Sequence, residues 1–344
     1  MKTCKNLWEK FISEENFKLA YKNAIKNKSN QEQIIRFKKN EEENLKAVRQ
    51  LVIDGKFRTS KYKEKKIFEP KERTIYKLPF CPDRIVQHAV MNILIPIFTN
   101  RFIENSYACI EGRGQLKASI KCAEYVRRYD YCLKCDIRKF YPSINQKILS
   151  EKLHRIIKDE KFMELIDDII FSFEGGYNCQ IGNYCSQWFG NFYLTELDNY
   201  VLHELKPGGY ERYCDDFMLF DDDKKYLKEC KEKIEIFIKE RLELEYSKAD
   251  LFHVKQGVDF VGYRHFRKFI LVRKRTAKRL KNRCKEIEEN IDTIDLKKVE
   301  SQLASARGLT KHACSYHLRK KIKLEELTKE VKERKMKKPR IKDD

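Results

Sequence analysis

The chain has 344 residues, with 74 Lys and Arg against 53 Asp and Glu, a formal net charge of +21. That length leaves room for roughly two domains or one large multi-part domain, which excludes a mini-protein dependent on disulfides. With 41% hydrophobic and 37% charged residues, and only seven Pro and twelve Gly, it reads as a helix-rich globular chain rather than a disordered one.

From Asn16 to about Gln50 the sequence is rich in Lys, Glu and Asn. Leu45, Val48, Leu51 and Val52 follow at helical spacing up to a stop at Asp54-Gly55, so residues 1–56 are predicted to form a helical amino-terminal segment. Basic residues then alternate with Tyr62, Ile67, Phe68, Ile75 and Tyr76, which predicts a strongly basic hairpin turning near Pro70-Lys71. Asp83 is placed to cap an apolar helix through Ile85, Val86, Ala89, Val90, Ile93 and Leu94, ended or kinked by Pro96. That stretch, Ala89 to Phe98, falls short of the ~20 apolar residues of a membrane span, and residues 1–10 lack the pattern of a secretory leader. A cytoplasmic protein without a membrane span is expected.

Ser106 to Gly114 is a Gly-containing loop, and Tyr131 to Asp136 reads as a strand ending on a carboxylate. Cys132 and Cys135 in that run lack a second Cys/His pair at zinc spacing, so they are taken as small buried strand residues. After a turn at Pro142 come two helices, one carrying Ile148, Leu149, Leu153 and Ile156, the other spanning Phe162–Phe173. A Gly/Ser loop precedes a helix expected from about Gln187 to Leu205. Arg212-Tyr-Cys-Asp-Asp-Phe-Met-Leu-Phe220 then sets two acids between short β-forming runs, predicting that both occupy a hairpin turn. A Lys/Glu helix over Lys224–Leu242, a hairpin around Phe260–Val272 and a basic helical tail, expected to fray from Lys329, complete the chain.

Adjacent carboxylates oppose each other's ionisation unless a cation lies between them. If the strand ending at Asp136 lies beside the hairpin carrying Asp215, the carboxylates can hold two Mg²⁺ ions, one activating a 3′-hydroxyl and one steadying a leaving pyrophosphate. The charge surplus suits a polyanionic partner, since Lys and Arg at phosphates release counterions. An Asp-Asp pair alone is also common in solvated turns.

The ordered set of motifs resembles the reverse transcriptases over about Phe68 to Tyr316. Asp136-Ile-Arg-Lys-Phe-Tyr141 is similar to the first acidic motif of that family's palm, and Tyr213-Cys-Asp-Asp216 to its Tyr-x-Asp-Asp box. The resemblance implies an α+β right-hand polymerase fold with an antiparallel palm sheet and a helical thumb. It divides the chain into fingers over 57–130, a palm over 131–265 with a helical insertion at about 145–178, and a thumb with basic tail over 266–344. It implies Asp136 and Asp215 as principal metal ligands, with Asp216 in support and the main-chain carbonyl of Ile137 at the second metal. Two Mg²⁺ ions are expected, Mn²⁺ being able to substitute. Tyr141 falls at the steric gate against a ribose 2′-hydroxyl. Lys71 and Arg73 resemble residues that grip the incoming triphosphate, for which the Arg fork is well suited. Asp83-Arg-Ile-Val-Gln87 and Ser106 to Gly114 resemble blocks of the group II intron lineage that position template and nucleotide.

The loop Gln180-Ile-Gly-Asn-Tyr-Cys-Ser-Gln187 departs from the common Gln-Gly-x-x-x-Ser-Pro form through Ile181 and Gln187. It resembles the Ile-Gly-x-x-x-Ser-Gln form of reverse transcriptases from diversity-generating retroelements, and His312-Ala-Cys-Ser-Tyr316 resembles their thumb. This implies error-prone cDNA synthesis at template adenines, with Ile181 and Gln187 setting fidelity beside Gly182 in the nucleotide site. Lys248 aligns with a lysine proposed to protonate pyrophosphate, with Lys255 a competitor. The implied partners are dNTPs, a template-repeat RNA, the RNA/cDNA duplex and an oligomeric accessory variability protein. A retron-like or phage-defence reverse transcriptase and a non-catalytic RNA-binding scaffold are the alternatives.

Overall fold

The computed structural model describes residues 3–68 and 72–337. Helices α1 (Trp8–Phe11), α2 (Glu14–Ile25), α3 (Glu32–Lys38) and α4 (Glu41–Ile53) open the chain. On α2 the buried residues Phe17, Ala20, Tyr21 and Ala24 recur at helical spacing, and the Ser13 hydroxyl accepts from Asn16 N at 3.2 Å to cap its start. This stripe packs against α5, and buried Asn16 donates from Nδ2 to Phe11 O at 2.8 Å and Ala89 O at 3.2 Å. The amino-terminal helices therefore share the main core.

Strands β1 (Lys63–Ile67) and β2 (Arg73–Lys77) pair antiparallel with Lys63 opposite Lys77. The turn expected at Pro70-Lys71, and with it Lys71, lies outside the described residues. Helix α5 (Ile85–Thr99) begins without a side-chain cap. Asp83 instead accepts from Ser60 N at 2.8 Å and Ser60 Oγ at 2.7 Å, so it ties down the approach to the hairpin rather than capping the helix. Pro96 does not end α5, which runs three residues past it, so the proline lies within the last turn.

Helix α6 (Gln115–Arg128) leads into β3 (Tyr131–Ile137), followed by α7 (Phe140–Ser143), α8 (Gln146–Ile156) and α9 (Glu160–Phe171). The helix expected at 187–205 starts earlier and is broken into α10 (Tyr184–Tyr193) and α11 (Thr195–Tyr200), with a wider turn at Val201–Leu205. Strands β4 (Gly209–Tyr213) and β5 (Asp216–Asp221), helix α12 (Lys224–Leu242) and strand β6 (Tyr246–His253) follow. A four-stranded antiparallel sheet results, in the order β4-β5-β3-β6.

Alternation along this sheet sends its two faces into two cores. Leu133, Cys135, Ile137, Phe217 and Leu219 join the main helical core. Cys132, Met218 and Phe220 face a second core made with Cys122 and Val126 of α6 and with Val258 and Phe260. Cys132 and Cys135 are thus free thiols buried on opposite faces.

The region expected as one hairpin at 260–272 is a three-stranded sheet, β7 (Val258–Phe260), β8 (Tyr263–His265) and β9 (Ile270–Val272). Helices α13 (Lys274–Glu289), α14 (Leu296–Lys311), α15 (Tyr316–Lys321) and α16 (Leu324–Lys337) close a third core around Ile287, Val299, Leu303, Leu324 and Val331. Burial of Val331 pins α16 to this core over the first part of the tail expected to fray from Lys329; residues 338–344 of that tail lie outside the described residues. The helical unit is joined to α6 through a triad of buried Ser119 and His265 with half-buried His312. His265 Nδ1 is 3.1 Å from Val258 O and so carries the proton, which makes Nε2 the acceptor of the Ser119 hydroxyl at 2.7 Å. Ser119 Oγ then accepts from His312 Nε2 at 2.9 Å. The fold is α+β.

Candidate active site

The register of the central sheet sets four residues in one row, Tyr213 opposite Asp216, Asp216 opposite Asp136, and Asp136 opposite Lys248. Antiparallel pairing of strands with alternating side chains thus brings together acids eighty residues apart in the chain. The β4–β5 connection is the two-residue turn Cys214-Asp215, with Cys214 in the left-handed region at φ +60°. Asp215 occupies the turn as expected, whereas Asp216 is the first residue of β5 rather than a turn residue.

Each acid has a distinct environment. The Ser247 hydroxyl donates to Asp136 Oδ2. Ser247 is reached because the β3–β6 register shifts between Asp136 and Ile137, leaving Ser247 between Lys248 and Tyr246. Asp216 Oδ2 accepts from Lys134 Nζ at 3.0 Å, and its Oδ1 is buried without a hydrogen-bond partner. Burial pushes the Asp216 carboxyl up to about 6, with repulsion from Asp136 and Asp215 adding to it and Lys134 opposing. Asp215 is also pushed up, first by burial and then by Asp136, against an opposing pull from the Arg73 guanidinium.

The turn itself is braced from beneath. Fully buried Arg212 pairs with fully buried Asp198, Nη2 to Oδ2 at 2.6 Å and Nε to Oδ1 at 2.8 Å. Its Nη1 donates to Cys214 O at 2.9 Å and to Asn191 Oδ1 at 3.0 Å. The Tyr141 hydroxyl meets Cys214 Sγ at 3.3 Å. A Cβ on Gly190 would stand 3.1 Å from the Tyr141 and Phe140 rings, so glycine lets α10 approach them closely.

The exposed hairpin β1–β2 reaches this region through one loop. Tyr76 N donates to Ile181 O at 2.8 Å. At Gly182, with φ +118°, a Cβ would lie 2.5 Å from Ile75 Cγ2 and 2.7 Å from Tyr76 O, so only glycine fits. Gln187 is exposed on the first turn of α10. Lys248 has its ammonium 2.5 Å from Asp250 Oδ2, which holds its pKa up. Asp83, Gln87 and Arg113, from the two blocks expected to position template and nucleotide, all make bonds within the chain: Gln87 Oε1 accepts from Tyr184 N at 3.3 Å, and Arg113 Nη1 donates to Ser106 O at 2.9 Å.

Lys134, Ser247 and the Arg212–Asp198 pair escaped the sequence reading. Lys134 was signalled by a charge inside an apolar strand run, two residues from Asp136 and therefore on its face. Ser247 depends on a bulge that carries no sequence mark.

Residues 61–265 match the family described as Reverse transcriptase (RNA-dependent DNA polymerase). The chain belongs to this family. It is also similar to Putative COX1/OXI3 intron 2 protein of Saccharomyces cerevisiae, 27% identical over 36% of this chain and 16% of that protein. Protein YkfC of Escherichia coli K12 is 25% identical over 56% of this chain and 62% of its own length. The chain spans less than two thirds of either relative.

A divalent cation fits the acid row by its chemistry. The donors are carboxylate oxygens, as hard cations require, one of them buried and unpartnered, and the mutual repulsion of the acids is what a cation relieves. Among the described residues no three His, Cys, Asp or Glu side chains close around a single point, since Asp136 and Asp216 are turned to Ser247 and Lys134.

Proposed function

We propose that this chain is an RNA-directed DNA polymerase working by nucleotidyl transfer, with fingers, palm and thumb at 57–130, 131–265 and 266–344. The observation that carries this reading is the pairing of Asp136 with Asp216 in adjacent strands, one residue from Asp215 in the turn. Asp136 and Asp215 would hold Mg²⁺, supported by Asp216 and by the carbonyl of Ile137. The metal supplies a lowered pKa for a primer 3′-hydroxyl and neutralises phosphate charge.

The chain's own residues do the rest. Arg73, whose charge reaches Asp215, and Lys71 take the triphosphate of the incoming dNTP. Tyr141, fixed by Cys214 and by the close approach of α10, bars a 2′-hydroxyl. A proton-transfer role for Lys248 requires its ammonium to leave Asp250. The basic helices α13 to α16 follow the phosphates of an RNA/cDNA duplex.

The finer reading is a diversity-generating retroelement enzyme copying a template-repeat RNA with an accessory variability protein as partner. It is supported by Ile181, in the loop that meets the hairpin, and by Gln187 on the first turn of α10. An apolar side chain at 181 removes a hydrogen bond that would brace the nucleotide, which lowers the penalty for a mispair. Sequencing of cDNA made on an RNA carrying all four bases tests it: errors concentrated opposite adenine and reduced several-fold in Ile181→Gln are expected. A faithful or untemplated product would move the chain to the retron-like or defence alternative.

A further inference from the structure

Lys134 sits on an apolar face, with Cys132 beside it, Met218 opposite it in β5, and the Phe260 ring centroid 5.7 Å from its ammonium. A charge there is costly unless fully bonded. Its Nζ donates to Asp216 Oδ2 at 3.0 Å and to the main-chain carbonyl of Asp259 at 2.5 Å. Asp259 is the middle residue of β7, and its carboxylate is ion-paired with Arg273, the residue preceding α13. Arg273 N also donates to Gly262 O at 3.0 Å, so the arginine is fixed at both ends. One continuous run of polar contacts therefore leads from an acid of the row, through β7, to the start of the carboxyl-terminal helices.

We propose that Lys134 is a positioning residue: it holds Asp216 by Oδ2, leaving Oδ1 free for a cation, and it couples the acid row to the strand and helix that carry the duplex-binding unit. This rests on the polymerase reading above. The lysine touches no reacting atom. It fixes the carboxylate in one orientation, and it places the carboxylate relative to β7, so that a shift of α13 on a bound duplex is felt at Asp216. A connected network of this kind works as a unit, and removing any link releases the next.

Full-length chain with an RNA template and annealed DNA primer provides the kinetic test. Lys134→Met is expected to lower kcat by about 10- to 100-fold, the usual cost of losing a residue that orients a metal ligand, with KM for dNTP and affinity for primer-template unchanged. Lys134→Arg, which keeps donors for both oxygens, regains most of the loss. Arg273→Met lowers kcat less, and the Lys134→Met/Arg273→Met double variant is no slower than Lys134→Met alone, because both act through Asp259. Losses that multiply, or a KM effect without a kcat effect, would overturn the proposal.

A second readout needs no turnover. Hydrogen exchange across residues 258–273 of the wild-type chain changes on adding Mn²⁺ alone, and this change disappears in Lys134→Met and is retained in Lys134→Arg. No change in the wild type, or a change that survives in Lys134→Met, overturns the coupling. Should Lys134→Met fail to fold, Arg273→Met replaces it in the exchange experiment with the same two outcomes. A wild-type chain that incorporates no dNTP would sink the polymerase reading, while the exchange result still decides whether Lys134 couples Asp216 to β7.

Discussion

Two antiparallel strand pairs converge on this site, and they are held in opposite ways. The β3–β5 pair is covered on both faces, by the main helical core on one and by α6 and β7 on the other. A slip of one residue would carry Asp136 to the wrong face along with the whole apolar set, so the row of acids is over-determined by packing. The β1–β2 hairpin has no buried residue in either strand. It is positioned by Tyr76 N on Ile181, the close approach at Gly182, and ring contacts of Tyr76 with Tyr62 at 6.1 Å and Phe173 at 5.1 Å. An isolated hairpin of this size is marginal in water. The difference teaches that the acids are set by the fold, whereas the basic hairpin is docked by a few contacts and leaves its charge exposed.

The sharpest way to break the comparison is to remove an acid without disturbing the sheet. Asp136→Asn keeps the shape and the Ser247 contact and removes a charge that repels Asp215 and Asp216, so in the absence of metal the chain should fold with thermal stability undiminished or slightly raised. It should lose at least about 10³-fold in dNTP incorporation, the order expected for an essential catalytic group.

A third region, the joint between α6 and the carboxyl-terminal helices, should respond to pH. Burial pushes the His265 imidazole down to about 4 from 6.5, with nearby His312 lowering it further and Asp259 and the Val258 carbonyl opposing. Because the folded pKa is depressed, the unfolded chain takes the proton first. Stability is therefore full above 6.5 and is lost as pH falls toward about 4, by roughly 3 kcal/mol at most. Urea unfolding at pH 7.5 and pH 5 should show the loss, and His265→Gln should reduce it.

Gly182→Ala attacks the hairpin's dock. The strained φ and the contact with Tyr76 O cost about 2 kcal/mol locally, which should raise KM for dNTP and expose the hairpin to proteolysis while global stability barely moves. Arg73→Ala should do less, raising KM by about tenfold through one lost charge-assisted contact and leaving hairpin protection intact.

The sequence made the period-two and helical features legible, together with the motifs. The strand ending at Asp136, the turn at Asp215 and the helix Lys224–Leu242 stand where periodicity puts them, because buried faces fix both pattern and place. Strand β6 was not foreseen, since Tyr-Ser-Lys-Ala-Asp-Leu-Phe-His is only partly buried and lacks alternation, yet it supplies Ser247 and Lys248 to the row. Asp83 looked like a cap from its place before an apolar run, but a tertiary partner, Ser60, claimed its carboxylate. The brace from Arg212 to Asp198 could not be read either, because nothing local marks a charge whose partner lies on another element.

The central claim is that the acid row performs Mg²⁺-dependent templated DNA synthesis. The most direct measurement is dNTP incorporation on a primed RNA template, with and without Mg²⁺, by wild type and Asp215→Ala matched for folding and RNA binding. cDNA is expected from the wild type only, and only with the metal. Equal incorporation by both proteins, or none from a wild type that is folded and bound to RNA, would contradict it.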